Sequence, residues 1–512
     1  MRRLARDVVL MALATGLSRV LGLLRDVAIA DRFGAGAAYD AFLIAFFVPH
    51  FLRQLLAEGA LSTAFVPIYT GLRVGGTAGD SPEASADADR FAGNLLSWLV
   101  VLFAGLVGLG VWLAPSYVPF LASGFEPSKL DLAVRLARIV FPFIALIGFA
   151  AVFMGILNSY HRFFAASVAP VWFNVGMIVG AILLAPRFPA QPVLGLAAGA
   201  LLGGVGQLIA QVPALCRVGF HLRPGLFPIH PELGRLVRLM APAVLTLAVT
   251  QVNLLVDNKL ASHLGDGGIA SLQWGIRLFQ LPLGVFAVSV ATALLPRFSD
   301  AWARRDEARF SEYLGDGFAL SALVLLPAMV GLLVIGTDAV RLLFEHGSFT
   351  TNDTVRTARV LTYYLIGLFP YGLVYLFSRA FYALRRTGVP LLAAAAAVGV
   401  NVVLDLLLVA GMREAGLALA TAAAGVVNAL VLGLFLRARI RLPIARLAWI
   451  VLGSGLLFGL TWAMRWALGD APDAVVVFVP VVGGALAYAA YVRWTPLWKL
   501  IGRLRSDGIE TG

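Results

Sequence analysis

The amino-acid sequence predicts an all-α protein that crosses a membrane many times, with about fourteen transmembrane helices. Two compositional observations support this prediction: 60% of the 512 residues are hydrophobic, and only 13% are charged. Soluble proteins carry about 25% charged residues, so this chain lacks the polar surface of a soluble enzyme. The same composition excludes a disordered chain, because disordered segments are poor in apolar residues.

The third observation is that apolar stretches long enough to cross the hydrocarbon core recur along the whole chain. The first stretch is too long for a removable signal peptide and lacks a small-residue cleavage site. The predicted spans are 7–32, 38–70, 90–114, 132–158, 165–186, 192–215, 236–262, 268–297, 311–336, 357–383, 389–410, 414–437, 444–467 and 474–494.

The segments that join these spans alternate in charge. One set holds about two dozen basic residues and the other about half a dozen, and basic segments stay in the cytoplasm. Both termini are therefore predicted to be cytoplasmic. The net charge of +12 indicates membrane orientation rather than a nucleic-acid partner, and the single cysteine excludes an intrachain disulfide.

Two short segments repeat in the same order along the chain. Val134-Arg-Leu-Ala-Arg-Ile-Val140 resembles Val355-Arg-Thr-Ala-Arg-Val-Leu361, and Ser62-Thr-Ala-Phe-Val-Pro67 resembles Ala291-Thr-Ala-Leu-Leu-Pro296, at offsets of 221 and 229 residues. Each offset contains about six spans, which predicts a parallel repeat about the membrane normal. We expect two six-helix lobes at 1–217 and 232–440, a helix pair at 441–495 and a cytoplasmic tail at 496–512.

Four arginines fall inside or near the ends of predicted spans, where each costs about 2.5–3.5 kcal/mol at a helix centre. They are Arg19, Arg25, Arg53 and Arg277. Snorkelling or ion pairs with nearby acids would reduce this cost, and we expect partial pairing with Asp26, Asp40 and Glu58. A basic cavity between the lobes explains the placement of all four arginines better than four separate anchors do.

Such a cavity favours an anionic ligand. The planar guanidinium fork matches phosphate oxygens, and basic pockets between helices also bind lipid head groups. The residues alone therefore predict a carrier of a phosphorylated, lipid-linked solute and do not identify that solute.

The N-terminal motifs carry a family resemblance. Ser18-Arg-Val-Leu-Gly-Leu-Leu-Arg-Asp26, Asp40-Ala-Phe42, Pro49-His-Phe-Leu-Arg53 and Ala57-Glu-Gly-Ala60 resemble the signature of the MurJ (MviN) lipid II flippases. Further matches are Leu157-Asn-Ser-Tyr160, Ala169-Pro170 with Asn174, and Arg277 followed by Leu281-Pro282. The resemblance covers essentially the whole chain and places it in the multidrug/oligosaccharidyl-lipid/polysaccharide exporter superfamily.

The resemblance implies transport of lipid II, the undecaprenyl-pyrophosphate-linked peptidoglycan precursor, to the outer leaflet of the bacterial inner membrane. Arg19, Arg25, Arg53 and Arg277 would line the cavity; Asp26, Asp40 and Glu58 would pair with them and gate it; and the last two helices would hold the polyprenyl tail. His50, Gln54 and Gln280 depart from the residues that many relatives carry, which affects details of the gating pairs.

Three other functions compete with this interpretation. A multidrug or polysaccharide exporter would have twelve spans and a less basic cavity. A glycosyltransferase would need acids or a metal in an outer loop, but His263, Asp266, Glu345 and His346 form no known motif. A passive scaffold leaves the intramembrane arginines unexplained. The sequence also lacks a Gly-Lys pair and a His-Glu pair, which excludes a Walker A loop and a His-Glu-x-x-His zinc helix.

A cation site is predicted in the second lobe. Asp257, Asn401, Asp405 and Thr421 fall at similar depths in their helices, and their oxygens suit a small hard cation. The alternative is that Asp257 pairs with Lys259 and that hydroxyls cap Asp405. The family resemblance favours sodium, with the Leu417 carbonyl completing the shell.

The predicted partners are lipid II and membrane lipids, with no nucleic acid. We expect a monomer that can associate with cell-wall synthesis proteins. No cofactor is expected to be required for chemistry, and the predicted cation site can bind a sodium ion. An ion gradient, the membrane potential and consumption of the product all remain open as energy sources.

Overall fold

The computed structural model describes residues 2–55, 61–74, 82–440 and 442–500. Within these ranges the chain is almost entirely helical and contains no β-strand, which confirms the all-α prediction. Contacts between Cα atoms divide the chain into two compact units, Met1–Gly267 and Gly268–Gly512.

The first unit contains ten α-helices in the described residues. A π-helical segment, Gly180–Leu184, follows α7 directly. The helices are α1 Arg2–Phe33, α2 Ala37–Leu55, α3 Leu61–Val74, α4 Pro82–Leu121, α5 Pro127–Val140, α6 Phe143–Ser159, α7 Phe163–Val179, α8 Val193–Ile209, α9 Val212–Arg217 and α10 Pro231–Ala261.

The second unit contains nine α-helices in the described residues. A π-helical segment, Leu283–Ala287, joins α11 to α12 and follows Pro282. The helices are α11 Gly268–Pro282, α12 Val288–Ala303, α13 Glu307–Phe344, α14 Thr351–Leu365, α15 Leu368–Ala383, α16 Gly388–Met412, α17 Glu414–Leu436, α18 Ile444–Leu468 and α19 Asp473–Trp494.

Ten helices of the described residues are long and apolar enough to cross a membrane, or eleven if the pair α14 and α15 is counted as one span bent by 46°. Each of the fourteen predicted segments contains at least one helix. The structure therefore shows a multi-span helical protein, and the count of fourteen stays a prediction.

Several predicted spans are not continuous helices, and two of them are interrupted next to the repeated segments. Segment 132–158 contains the end of α5 and all of α6, separated at Phe141 and Pro142, and segment 357–383 contains parts of α14 and α15, separated at Ile366 and Gly367. Proline lacks the N–H that would continue the helical hydrogen bonds, which explains the first break. The repeated segments 134–140 and 355–361 lie just before these breaks, on α5 and α14.

The core of the first unit is aromatic where α3, α4 and α6 meet. Phe65 stacks on Tyr69 and Phe91, with ring centroids 5.4 and 5.6 Å apart.

The backbones of α7 and α8 are in close contact at their glycines. A Cβ atom at Gly176 would lie only 2.4 Å from the Cα of Gly203, so only a glycine fits there. Small residues of this kind allow membrane helices to pack backbone to backbone.

Helix α10 contacts α2, α3 and α4 and so belongs to the first unit. The boundary between the contact-defined units therefore follows α10, whereas the boundary predicted from the repeat, between 217 and 232, precedes it. The predicted lobes concern movement during transport and stay a prediction.

In the second unit, α13 packs against the C-terminal helices α18 and α19. Asp316 and Asp338 lie in the N-terminal and C-terminal parts of α13, and both are buried. Arg446 donates to Asp316, and Arg465 donates to both carboxylate oxygens of Asp338, at 2.7 and 3.2 Å. These two pairs fasten α18 to α13 along most of its length.

Candidate functional site

Arg25 on α1 is held by two polar partners inside the first unit. Its Nε and Nη2 atoms donate to Asp26 Oδ1 at 2.9 and 2.6 Å, and its Nη1 atom donates to Asn174 Oδ1 at 3.0 Å. Asn174, on α7, also donates to the Ser18 carbonyl at 3.1 Å. The Asn174 side chain therefore links α7 to α1 and fixes the direction of the Arg25 guanidinium.

Arg19 lies almost two turns earlier on α1 and lines an open cavity of about 880 Å³. The other walls come from α3, α6 and α7, and most of the lining is apolar. The cavity-lining residues are Ser18, Arg19, Val66, Pro67, Thr70, Met154, Asn158, Ser159, His161, Phe163, Ala166, Ser167 and Pro170. A cation in this mainly apolar cavity attracts anions more strongly than it would in water.

Arg53 lies in the last turn of α2, beside a short polar chain. Its Nη2 atom lies 3.4 Å from His50 Nδ1, and Gln54 Nε2 lies 3.3 Å from His50 Nε2. Gln251 on α10 donates to Gln54 Oε1 at 2.5 Å. His50 and Gln54 are positions where the sequence departs from the family pattern, and here they connect α2 to α10.

Asp40 is completely buried at the start of α2. It accepts a hydrogen bond from Lys129 Nζ at 2.8 Å and another from the Gly267 backbone N–H at 2.7 Å. Lys129 also donates to Asp266 at 2.9 Å and lies 4.2 Å from the centroid of the Phe125 ring. Asp40 and Lys129 thus join the start of α2 to the first turn of α5 and to the loop that precedes α11.

In the second unit, a row of buried residues along one face of α16 ends in two polar side chains. Its buried residues are spaced four apart, which places them on one face of the helix: Ala393, Ala397, Asn401 and Asp405. Helix α16 packs against α17, on which Leu417 is buried and Thr421 is half-buried. A carboxylate and an amide therefore continue a stripe of alanines inside a helix hairpin.

The remaining candidate residues have different positions. Arg277 lies half-buried on α11 in the second unit, and Asp257 lies half-buried on α10 in the first unit. Glu58 lies outside the described residues. Convergence of the four arginines, and of Asp257 with the α16 residues, stays a prediction.

Sequence reasoning missed two residues at this site, Lys129 and Asn174. Lys129 is one of only three lysines in the chain, which was the available signal. Asn174 appeared only as part of a family motif, and its contact with Arg25 spans 149 residues of sequence. Nothing in the local pattern of either residue indicates so distant a partner.

A family model described as "Lipid II flippase MurJ" matches residues 29–474. The chain belongs to the MurJ family. The chain is 34% identical over 410 residues to a probable lipid II flippase MurJ from Vibrio cholerae serotype O1, covering 79% of this chain and 78% of that protein. It is also 34% identical over 399 residues to a lipid II flippase MurJ from Burkholderia cenocepacia, covering 77% and 75%.

Solved structures give the same family. A lipid II flippase MurJ in an inward closed conformation aligns with a TM-score of 0.81 and 28% identity, covering 94% of this chain and 98% of the other. An inward-facing multidrug transporter of the MATE family aligns with a TM-score of 0.68 and 16% identity, covering 86% and 98%, which shows a shared fold. Members of the MurJ family are transporters and not enzymes, and this decides against the glycosyltransferase alternative.

Proposed function

We propose that this protein is a lipid II flippase, which moves the polyprenyl-diphosphate-linked peptidoglycan precursor from the cytoplasmic to the outer leaflet of the bacterial inner membrane. The match of the MurJ family model over residues 29–474 carries this proposal. The arginines of the first unit supply the chemistry, because guanidinium groups bind diphosphate oxygens through paired, charge-assisted hydrogen bonds.

Each arginine has its own part in the proposal. Arg19 is placed in a cavity whose wall includes the loop between α6 and α7, the loop that carries Arg162 and is predicted to be cytoplasmic. This cavity receives the head group. Arg25, oriented by Asp26 and Asn174, and Arg53, beside His50, bind the diphosphate, together with Arg277 of the second unit.

The transport cycle alternates access between lobes 1–217 and 232–440. Gating in this cycle involves three acids, Asp26, Asp40 and Glu58. Asp26 competes with the substrate for the Arg25 guanidinium. Asp40 binds the Gly267 N–H before α11 and the Lys129 ammonium group. Breaking and forming such pairs gives a carrier two discrete arrangements, which alternating access requires.

A sodium site accompanies this cycle. Within the described residues, no group of three or more His, Cys, Asp or Glu side chains could hold a metal ion, so a cation would depend on amide, hydroxyl and carbonyl oxygens as well. Asn401, Asp405, the Leu417 carbonyl and Thr421 supply such oxygens from the α16–α17 hairpin, with Asp257 as a second carboxylate. Hard cations prefer donors of this type.

Sodium binding to the purified protein tests this site. The Asp405→Ala variant should bind sodium much more weakly, whereas Asp470→Ala, in the loop between α18 and α19, should leave the affinity unchanged. Equal sodium affinity in the wild type and in Asp405→Ala would eliminate the site without affecting the flippase proposal.

The remaining parts of the proposal concern topology and partners. Fourteen spans place both termini and the tail at 496–512 in the cytoplasm, and the helix pair at 441–495 provides a groove for the polyprenyl tail. The protein acts as a monomer among membrane lipids and associates with cell-wall synthesis proteins.

The direct test is flipping of lipid II in proteoliposomes. Arg53→Ala should abolish transport and leave a folded protein, because truncating one member of a desolvated charge pair costs about 2–5 kcal/mol of binding. Arg187→Ala removes an equal charge from an exposed residue at the end of the short 3₁₀ helix Ala185–Arg187, and this variant should transport normally. Normal flipping by Arg53→Ala would remove Arg53 from the diphosphate site, and no flipping by the wild type would contradict the proposal itself.

A further inference from the structure

The second unit contains a cavity of about 730 Å³ whose lining includes none of the residues proposed to bind lipid II. It lies between the loop joining α12 to α13 and the loop joining α15 to α16, both predicted to be cytoplasmic from their arginines. Its lining residues are Ser299, Trp302, Ala303, Arg305, Glu307, Tyr382, Ala383 and Arg385.

Two arginines of this cavity occupy the same unusual backbone position. Arg305 and Arg385 both have a φ angle of +57°, in the left-handed region that glycine normally occupies after a helix. The hydrogen bonds also match. Arg305 N donates to the Trp302 carbonyl and Arg385 N to the Tyr382 carbonyl, both at 3.0 Å. Left-handed residues with a side chain cluster at functional sites, because another requirement must keep the side chain there.

The charge balance around the cavity leaves these two arginines available. The nearby acids are already occupied: Asp300 accepts from Arg304 at 2.9 Å, Asp306 lies 3.5 Å from Arg309, and Glu307 accepts from Arg439 at 3.1 Å. Arg305 and Arg385 are exposed and make no ion pair within the described part of the chain. The cavity therefore has two uncompensated positive charges.

Aromatic residues give the same cavity an interfacial character. Trp302 and Tyr382 line it, and the Arg439 guanidinium lies 5.7 Å from the centroid of the Trp302 ring. Tryptophan and tyrosine collect at the level of lipid head groups, where one side of the ring is apolar and the other meets water.

We propose that this cavity is a binding site for a phosphate-bearing anion, held by Arg305 and Arg385 on the predicted cytoplasmic side of the second unit. Two guanidinium groups flanking one cavity suit a phosphate group, and the aromatic lining suits the glycerol and acyl region of an anionic phospholipid. The shared chemistry is the phosphate, which either a phospholipid or free phosphate supplies. This site contains none of the residues proposed to bind lipid II.

Native mass spectrometry of the delipidated protein with phosphatidylglycerol tests the proposal. The R305G/R385G variant should bind this lipid about tenfold more weakly, because each basic residue near an anionic group contributes appreciable affinity. Glycine adopts the left-handed backbone without steric cost, so the variant is expected to fold, and R305N/R385N provides a second form. The control R386Q/R437Q removes two exposed arginines that do not line the cavity and should bind normally.

Two further measurements identify the source of the phosphate. Displacement of the lipid by millimolar inorganic phosphate would support a site for any phosphate group, and resistance to displacement would support a site for the phospholipid. Equal losses in the test and control variants, or no loss in either form of the test variant, would overturn the proposal.

Discussion

The two cavities of this protein obtain their positive charge in different ways. In the first unit, Arg19 on α1, inside the predicted span 7–32, lines a mainly apolar cavity. In the second unit, Arg305 and Arg385 lie in loops that follow helices. A charge inside a span is costly, whereas a loop arginine remains hydrated, so the first arrangement needs a larger compensating interaction than the second.

The comparison extends to the ion pairs. The first unit contains two pairs with a buried acid, Arg25 with Asp26 on α1, and Lys129 on α5 with Asp40 on α2. The second unit uses its buried acids to fasten helices, such as α18 to α13. We infer that the buried charges of the first unit serve transport, together with Arg277 and the cation-site residues of the second unit, and that the other charges of the second unit mainly serve architecture.

The largest expected effect is on transport. Arg25→Ala should abolish lipid II flipping, and Arg25→Lys should retain only part of it, because lysine keeps the charge but lacks the planar fork. Transport assays in proteoliposomes measure both variants. Equal activity in Arg25→Lys and the wild type would show that charge alone is sufficient at this position.

The next effect concerns stability of the first unit. Lys129→Ala leaves the buried Asp40 carboxylate without its ammonium partner and should lower the free energy of unfolding by about 3–5 kcal/mol. Asp266→Ala removes the exposed partner of the same lysine, 69% exposed, and should cost less than about 1 kcal/mol. Denaturation of the purified protein compares the two. Similar losses of unfolding free energy in the two variants would contradict the claim that the burial of Asp40 makes its pairing with Lys129 the stronger one.

A smaller effect is expected in the second unit. Arg465→Ala removes both hydrogen bonds to Asp338 but leaves Arg341, whose Nη1 atom lies 3.6 Å from the same carboxylate. The loss of stability should therefore be only about 1–2 kcal/mol. An Arg437→Ala control, at an exposed position, should change little. A loss of stability as large as that of Lys129→Ala would show that the ion pairs of the two units do not differ in their contribution to stability.

The smallest effect depends on pH. Partial burial raises the pKa of Glu345, after α13, but hydrogen bonds from Thr354 and Thr351 and the charge of Arg341 outweigh it and hold the pKa below its usual value. The charged form of Glu345 therefore stabilises the folded protein fully at pH values above the ordinary pKa of glutamate, about 4.3. This stabilisation is lost as the pH falls through the lowered pKa. Glu345→Gln should be less stable than the wild type at neutral pH by under about 1 kcal/mol, and this difference should vanish in acid. A difference independent of pH would contradict this origin.

Hydropathy located the apolar helical segments more accurately than it located the residues where each helix begins and ends. Helix α4 runs from Pro82 to Leu121, well beyond the predicted 90–114, because its first turns carry polar residues that hydropathy does not count as membrane. The interruption at Phe141 and Pro142 was hidden for the opposite reason, since both sides of the break are apolar. Apolar length indicates which segment lies in lipid and does not indicate where the helical hydrogen bonds stop.

The candidate site was accessible from the sequence only where energetic cost revealed it. Arginines within apolar spans are conspicuous, so the sequence alone was enough to select Arg19, Arg25 and Arg53. Lys129 and Asn174 could not be selected in this way, because their contacts join segments that are distant in the sequence. The cavity at Arg305 and Arg385 was also hidden, since loop arginines are expected in every cytoplasmic segment.

Depletion of this protein in its host tests the central claim most directly. The measured quantity is the amount of lipid II accessible at the outer leaflet, compared with total lipid II, in cells that express the wild type, Arg25→Ala or the control Arg187→Ala. Accessible lipid II should disappear while total lipid II persists. The wild type and Arg187→Ala should restore accessible lipid II, whereas Arg25→Ala should not. Unchanged accessible lipid II after depletion, in cells with no second flippase, would contradict the account.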